Sequence, residues 1–103
     1  MSRNLSALEE LTLELVNLQQ TYDFKCLINS SLLQYNLKEF EHTVKLNKFL
    51  ENNTIDMIEI TSGPTSFRIN SSEIQRFTID NGLILVQSNY KEIGIMLNKK
   101  NKN

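Results

Sequence analysis

Two periods divide the chain. Up to about residue 51 apolar positions recur every three or four residues, and from Ile55 onward they recur every second residue. In the first half, Leu8, Leu11, Leu15, Leu18 and Tyr22 follow 3-4-3-4 spacing and draw a seam down one side of a helix predicted over residues 5–20. Leu5, Leu13 and Val16 widen that surface. Ser6 with Glu9 three residues later is a capping box: the hydroxyl accepts from a free N–H of the first turn and the carboxylate reaches back. A helix this apolar must pack on something, either its own sheet or a partner helix in a homodimer.

Residues 22–35 carry two readings. Tyr22, Phe24, Cys26 and Ile28 alternate with Asp23, Lys25 and Leu27, which favours an extended segment, whereas Tyr22, Cys26 and Leu33 also share one side of a continued helix. Asn29-Ser30-Ser31 is a break in either reading. A second helix is predicted over 37–51, with Asn36 as N-cap, Glu39 completing its box, Leu37, Phe40, Val44 and Leu50 on the apolar side, and Asn52-Asn53 as a left-handed stop. The competing strand of Phe40, His42, Val44 and Leu46 is disfavoured because Leu, Lys and Glu dominate the segment.

The second half reads as hairpins. Pairing across Gly63-Pro64 sets Ile60 opposite Phe67 and Ile58 opposite Ile69. Asn81-Gly82 supplies the two positive-φ residues of a type I′ turn, placing Ile79 opposite Ile84 and Phe77 opposite Val86. A further turn at Asn89-Tyr90 sets Val86 opposite Ile93 and Ile84 opposite Ile95. The expected fold class is therefore α+β: two N-terminal helices packed on a C-terminal four- to five-stranded antiparallel β-meander. It forms a single domain over 1–98, helical over about 5–51 and β over about 55–97, with 99–103 as a disordered basic tail. The same register puts Leu83, Leu85 and Met96 on the face that a meander turns to solvent, and such apolar patches mark interaction sites. The interaction residues expected from sequence are thus Leu8, Leu11, Leu15, Leu18, Tyr22, Leu83, Leu85 and Met96.

Composition narrows the function. The 103 residues carry a net charge of −1 and a pI near 5.8, and their one basic cluster is Lys99-Lys100-Asn101-Lys102. Nucleic-acid binders usually carry a basic stripe. Arg68, Arg76, Tyr90 and Lys91 are the residues that would have to share one surface to make this chain a single-strand binder, so a nucleic-acid-binding regulator is the alternative reading. No run approaches the ~18 apolar residues of a membrane span, and Glu9, Glu10 and Glu14 among the leucines argue against a secretory signal. A cytoplasmic location follows by default. The abundance of Asn, Lys and Ile fits a low-GC bacterium or its phage.

Catalytic groups are sparse. His42 is the sole histidine and Cys26 the sole cysteine, so neither a zinc set nor an internal disulfide can be assembled. The single His would have to serve any Ser/His/Asp or Cys/His arrangement. Tryptophan is absent, and the acidic residues alternate with lysines rather than pairing in an aromatic cleft. Thr61 to Ser66 is rich in hydroxyls but lacks the glycines and lysine of a phosphate loop. Gly94, opposite Leu85, leaves room for that side chain. The expectation is a small non-enzymatic interaction module, without cofactor or metal: an accessory, regulator or inhibitor whose partner is another protein or a second copy of itself.

Overall fold

The structure is a computed structural model and describes residues 4–101. Ser6 caps the first helix, α1 (Ala7–Leu18): its hydroxyl accepts from the Glu9 N–H at 3.1 Å, and Glu9 Oε1 accepts from the Ser6 N–H at 3.0 Å. The chain then enters three strands, β1 (Tyr22–Asp23), β2 (Lys25–Ser30) and β3 (Leu33–Asn36), followed by a 3-10 turn (Leu37–Glu39) and a short helix, α2 (Thr43–Leu50). Six more strands complete it: β4 (Met57–Ser62), β5 (Thr65–Asn70), β6 (Ile74–Asp80), β7 (Leu83–Ser88), β8 (Glu92–Met96) and β9 (Asn98–Lys99).

The α+β class holds, but the layout differs from the expected helices-then-meander. Three strands separate the two helices, so they are not both N-terminal to the sheet. The strands form three antiparallel sheets, with orders β3-β2-β4-β5, β6-β7-β8 and β1-β9. Residues 22–36 are extended throughout their strand segments because β2 finds a partner on each side, β3 and β4. The meander breaks between β5 and β6, where Ser71 donates to the Asp56 carbonyl at 2.8 Å and turns the chain away instead of continuing the ladder. Within each sheet the hairpin registers match expectation: Ile60 opposite Phe67, Ile58 opposite Ile69, Ile79 opposite Ile84, Phe77 opposite Val86, Val86 opposite Ile93 and Ile84 opposite Ile95.

The second helix is shorter than predicted. The Asn36–Glu39 box exists, yet it caps a single 3-10 turn, and Phe40 leaves helical geometry at φ −111°, ψ 88°. That departure carries its ring into a cluster with Tyr35 and Phe49, at centroid separations of 6.5 and 5.4 Å. Tilted and edge-on aromatic pairs of this kind are worth about 0.5–1.5 kcal/mol beyond area burial. Helix α2 then starts from His42, whose side chain makes no capping bond. Val44, expected on the apolar side, is exposed, and Leu46 is buried in its stead. The stop is not left-handed: the C-cap Glu51 is right-handed, and the Asn53 side-chain amide donates to the Phe49 carbonyl at 2.8 Å.

One core joins the layers. Leu8, Leu11, Leu15 and Val16 of α1 are buried with Cys26, Ile28, Ile58, Ile60 and Ile69 of the four-stranded sheet and Ile74, Ile84, Val86 and Ile95 of the three-stranded sheet. Helix α1 packs on β4, β6 and α2. The far ends of the sheets are tied by β1 and β9, which pair Tyr22 with Lys99 and Asp23 with Asn98, and by Ser62 Oγ donating to the Met96 carbonyl at 2.9 Å. The tail expected to fray from Lys99 is therefore held as far as Lys100, whose N–H reaches the Thr21 carbonyl at 3.0 Å; its last two positions, 102–103, lie outside the described residues. Among the described residues no helix is long and apolar enough to cross a membrane.

Candidate interaction surfaces

Helix α1 spends its apolar seam inside the chain. Leu8, Leu11 and Leu15 are 0% exposed, Tyr22 is buried, and Leu18 is half-buried against the core. The periodicity was compatible with a core seam or a docking seam, and the two sheets closing over α1 make it a core seam. Four of the five are buried and Leu18 is half-buried, so packing within the chain accounts for most of the seam.

Leu83, Leu85 and Met96 differ. None of the three joins the core cluster. The cross-strand register places them on the outer face of the β6-β7-β8 sheet in three rows: Asp80, Leu83 and Met96; Thr78, Leu85 and Gly94; Arg76, Gln87 and Glu92. Leu83 and Leu85 are half-buried by their in-sheet neighbours, and Met96 is 58% exposed. The face is apolar at one end and carries an Arg and a Glu at the other. Leu85 does not need a glycine opposite it, contrary to expectation: a Cβ at Gly94 would meet Leu85 Cδ2 at 3.6 Å, an ordinary contact.

The groups that could do chemistry lie apart. Burial pushes the Cys26 thiol up to about 12, so it stays protonated and unreactive as a nucleophile. His42 lines an open cleft of about 540 Å³ with Tyr22, Asp23, Lys38, Glu41 and Lys100. Two acids there balance two lysines, giving the cleft no charge preference. Among the described residues, no three His, Cys, Asp or Glu side chains converge as a metal site would require.

Two features were at most partly legible in the sequence, where Asn29-Ser30-Ser31 marks a break but not a hairpin. The β2–β3 hairpin turns on Ser31 and Leu32, at φ 48° and 70°, because Ser30 pairs with Leu33 and leaves a two-residue loop. Positive φ at both positions is the type I′ geometry that ordinarily selects Asn and Gly. Leu32 is nonetheless fully exposed, and Leu33 beside it is 60% exposed. The second feature is a pocket of about 190 Å³ where the two large sheets part. Ile69, Ile74, Val86 and Ile93 form its apolar floor, with Arg68, Glu73, Ser88, Tyr90 and Lys91 around them. Arg68, Tyr90 and Lys91 thus do gather, but Arg76 stands on the outer face of the three-stranded sheet, so the four do not form one basic stripe.

Comparison with family models, curated proteins and solved structures finds no match to this chain.

Proposed function

We propose that this chain is a small non-enzymatic protein-binding module, acting as a cytoplasmic accessory, regulator or inhibitor, with the outer face of the β6-β7-β8 sheet as its contact. The observation that carries the reading is the Leu83–Leu85–Met96 strip, which lies on the outer face of the three-stranded sheet and outside the core cluster. Fully burying one such side chain contributes about 1.5–3 kcal/mol, while association costs ~4–15 kcal/mol. Three side chains therefore cannot hold a tight complex alone. A partner has to cover the neighbouring Thr78 and Gly94 as well and pair with Arg76 or Glu92, which sets orientation more than affinity.

The test compares wild type with Leu85→Lys and Met96→Lys as bait in its native host, after circular dichroism has shown all three folded. The expected result is a discrete prey protein retained by wild type and lost from both variants. Equal capture by all three baits would overturn the assignment of this face. Retention of nucleic acid instead, released steeply by salt, would move the protein to the alternative class.

A further inference from the structure

We infer that Asn81 is a self-modification site: the Gly82 nitrogen closes on the Asn81 side-chain carboxamide, and the rearranged turn loosens the β1–β9 latch. The site lies at the tip of the β6–β7 hairpin and needs no partner on the outer sheet face.

The step needs only water and the chain itself. The Gly82 nitrogen gives up its proton and attacks Asn81 Cγ. A new N–C bond forms, the carboxamide C–N bond breaks, and the nitrogen leaves as ammonia carrying that proton. Water then opens the resulting five-membered imide at either carbonyl. One opening leaves aspartate at position 81 on an ordinary main chain. The other leaves isoaspartate, whose main chain runs through Cβ and is one atom longer.

The first observation is that both reacting groups are free. Asn81 is the one asparagine followed by glycine, which has no Cβ to shield the attacking nitrogen. Asn81 is exposed. Among the described residues, neither its carboxamide nor the Gly82 N–H has a hydrogen-bond partner. Bringing the carboxamide over the nitrogen therefore breaks no hydrogen bond of either group.

The second observation is that the fold restrains the rival asparagines. Every other asparagine within the chain precedes a bulkier residue, and the smallest of those is serine, at Asn29-Ser30 and Asn70-Ser71. Asn29 lies in β2 with a strand on each side, paired with Gln34 and Met57, and its Oδ1 accepts from the Gln34 side-chain amide at 3.3 Å. The Asn70 side-chain amide donates to Glu73 at 2.8 Å, and the nitrogen that would attack it, Ser71 N–H, donates to the Asp56 carbonyl at 2.8 Å. In both pairs the reaction has to break bonds that the Asn81-Gly82 pair does not make.

The third observation is what the turn holds. The Gly82 carbonyl accepts from the Leu97 N–H at 2.8 Å, and Gly82 lies so close under Tyr22 that a Cβ there would fall 2.6 Å from Tyr22 Cε1. Tyr22 and its neighbour Thr21 in turn hold the end of the chain, by the pair with Lys99 and by the Lys100 N–H on the Thr21 carbonyl at 3.0 Å. A two-residue loop tolerates no extra main-chain atom, because its length and turn type set the hairpin. Isoaspartate therefore shifts Gly82 against Tyr22 and Leu97. Aspartate does not, since Asp-Gly suits the same turn. The two products of one reaction thus have opposite effects on the latch.

The test is incubation of the full folded chain in mildly alkaline buffer, followed by peptide mapping that separates aspartyl from isoaspartyl forms. Asn81 is expected to convert at least about tenfold faster than Asn29 or Asn70, a barrier about 1.4 kcal/mol lower, and faster still as pH rises, because the attacking nitrogen must lose its proton. Asn81→Gly keeps a residue suited to positive φ, removes the carboxamide and is expected to show no such conversion. Hydrogen exchange at the Leu97 and Lys100 amides is expected to quicken in the isolated isoaspartyl form and to stay unchanged in the aspartyl form. Asn81 intact in the folded chain but converted in urea would show that the turn protects it, and would overturn the site. Conversion of Asn29 or Asn70 at an equal rate would overturn it too. An isoaspartyl form whose Leu97 and Lys100 amides exchange as slowly as before would overturn the effect on the latch.

Discussion

Glu9 Oε2 accepts a hydrogen bond from the backbone N–H of Ile55, 46 residues away, at 3.0 Å. Its other oxygen closes the capping box of α1. One buried carboxylate thus fixes both the start of the helix and the approach to β4. A buried donor left without its acceptor costs about 1–3 kcal/mol, and Glu9→Ala orphans the buried Ile55 N–H and also opens the capping box at exposed Ser6, a cap being worth about 1 kcal/mol. The expected loss is about 2–4 kcal/mol in urea unfolding, with Glu9→Gln losing less because one acceptor oxygen survives. Equal stability of Glu9→Ala and wild type would deny the clamp.

The glycines of β-hairpin 6–7 and of β8 separate sharply. Gly82 sits at φ +83°, and a Cβ there would come within 2.6 Å of Tyr22 Cε1 and 3.3 Å of the Leu97 carbonyl. Gly82→Ala is expected to cost about 2 kcal/mol or more, from left-handed strain and displacement of the Tyr22 ring. Gly94→Ala is expected to be neutral or stabilising by a few tenths to 1 kcal/mol, since the new methyl makes ordinary contacts and the unfolded chain loses freedom. Thermal melts of the two variants decide it.

Leucines on α1 and on the outer sheet face provide a second contrast. Leu15→Ala removes a fully buried side chain and should cost about 2–5 kcal/mol. Leu83→Ala, on the uncovered face, should cost less than about 1 kcal/mol. Reversal of that order in denaturant titrations would show the outer face to be covered and the seam open.

Cys26 gives the protein an alkaline sensitivity. Its folded thiol titrates near 12 against an ordinary 9.0. Below 9 both states hold the proton and the stabilising burial is intact. As pH rises from 9 toward 12 only the unfolded chain releases it, so stability falls with pH across that window. Stability profiles at pH 8–11 should flatten in Cys26→Ala relative to wild type. Native Cys26 should also react with a thiol reagent only as fast as the protein opens.

The contrast between what the residues foretold and what formed is physical. Alternation has a period of two, so once Gly63-Pro64, Asn81-Gly82 and Asn89-Tyr90 define the turns, the cross-strand pairs of β4–β5 and β6–β8 follow, save at the start of β6, where the register shifts between Ile74 and Arg76. The split between sheets had no such signal, because the polar residues 71–73 suit a turn within a meander or a change of sheet equally well. An Asn36–Glu39 box suits an α-helix start, and the same box serves a 3-10 turn when Phe40 is drawn to Tyr35 and Phe49. Of the candidate surface, Leu83, Leu85 and Met96 followed from strand register. The α1 seam did not, since 3-4 spacing marks an apolar side without saying what covers it. The pocket between the sheets was hidden because its floor comes from four separate strands; Asn29-Ser30-Ser31 marked the break between β2 and β3, but nothing marked Leu32 as the second left-handed residue of that turn.

The β1–β9 pairing has a consequence for how the molecule is made. Tyr22 meets Lys99, so among the described strand pairs this one has the partner that is synthesised last. Until then the ring of Tyr22 lacks the backbone of Leu97 and the turn at Gly82 that enclose it, and the two large sheets lack their ladder at that end. Closing so long a loop is slow, and a nascent chain stalled short of Leu97 should present an unlatched, protease-sensitive precursor.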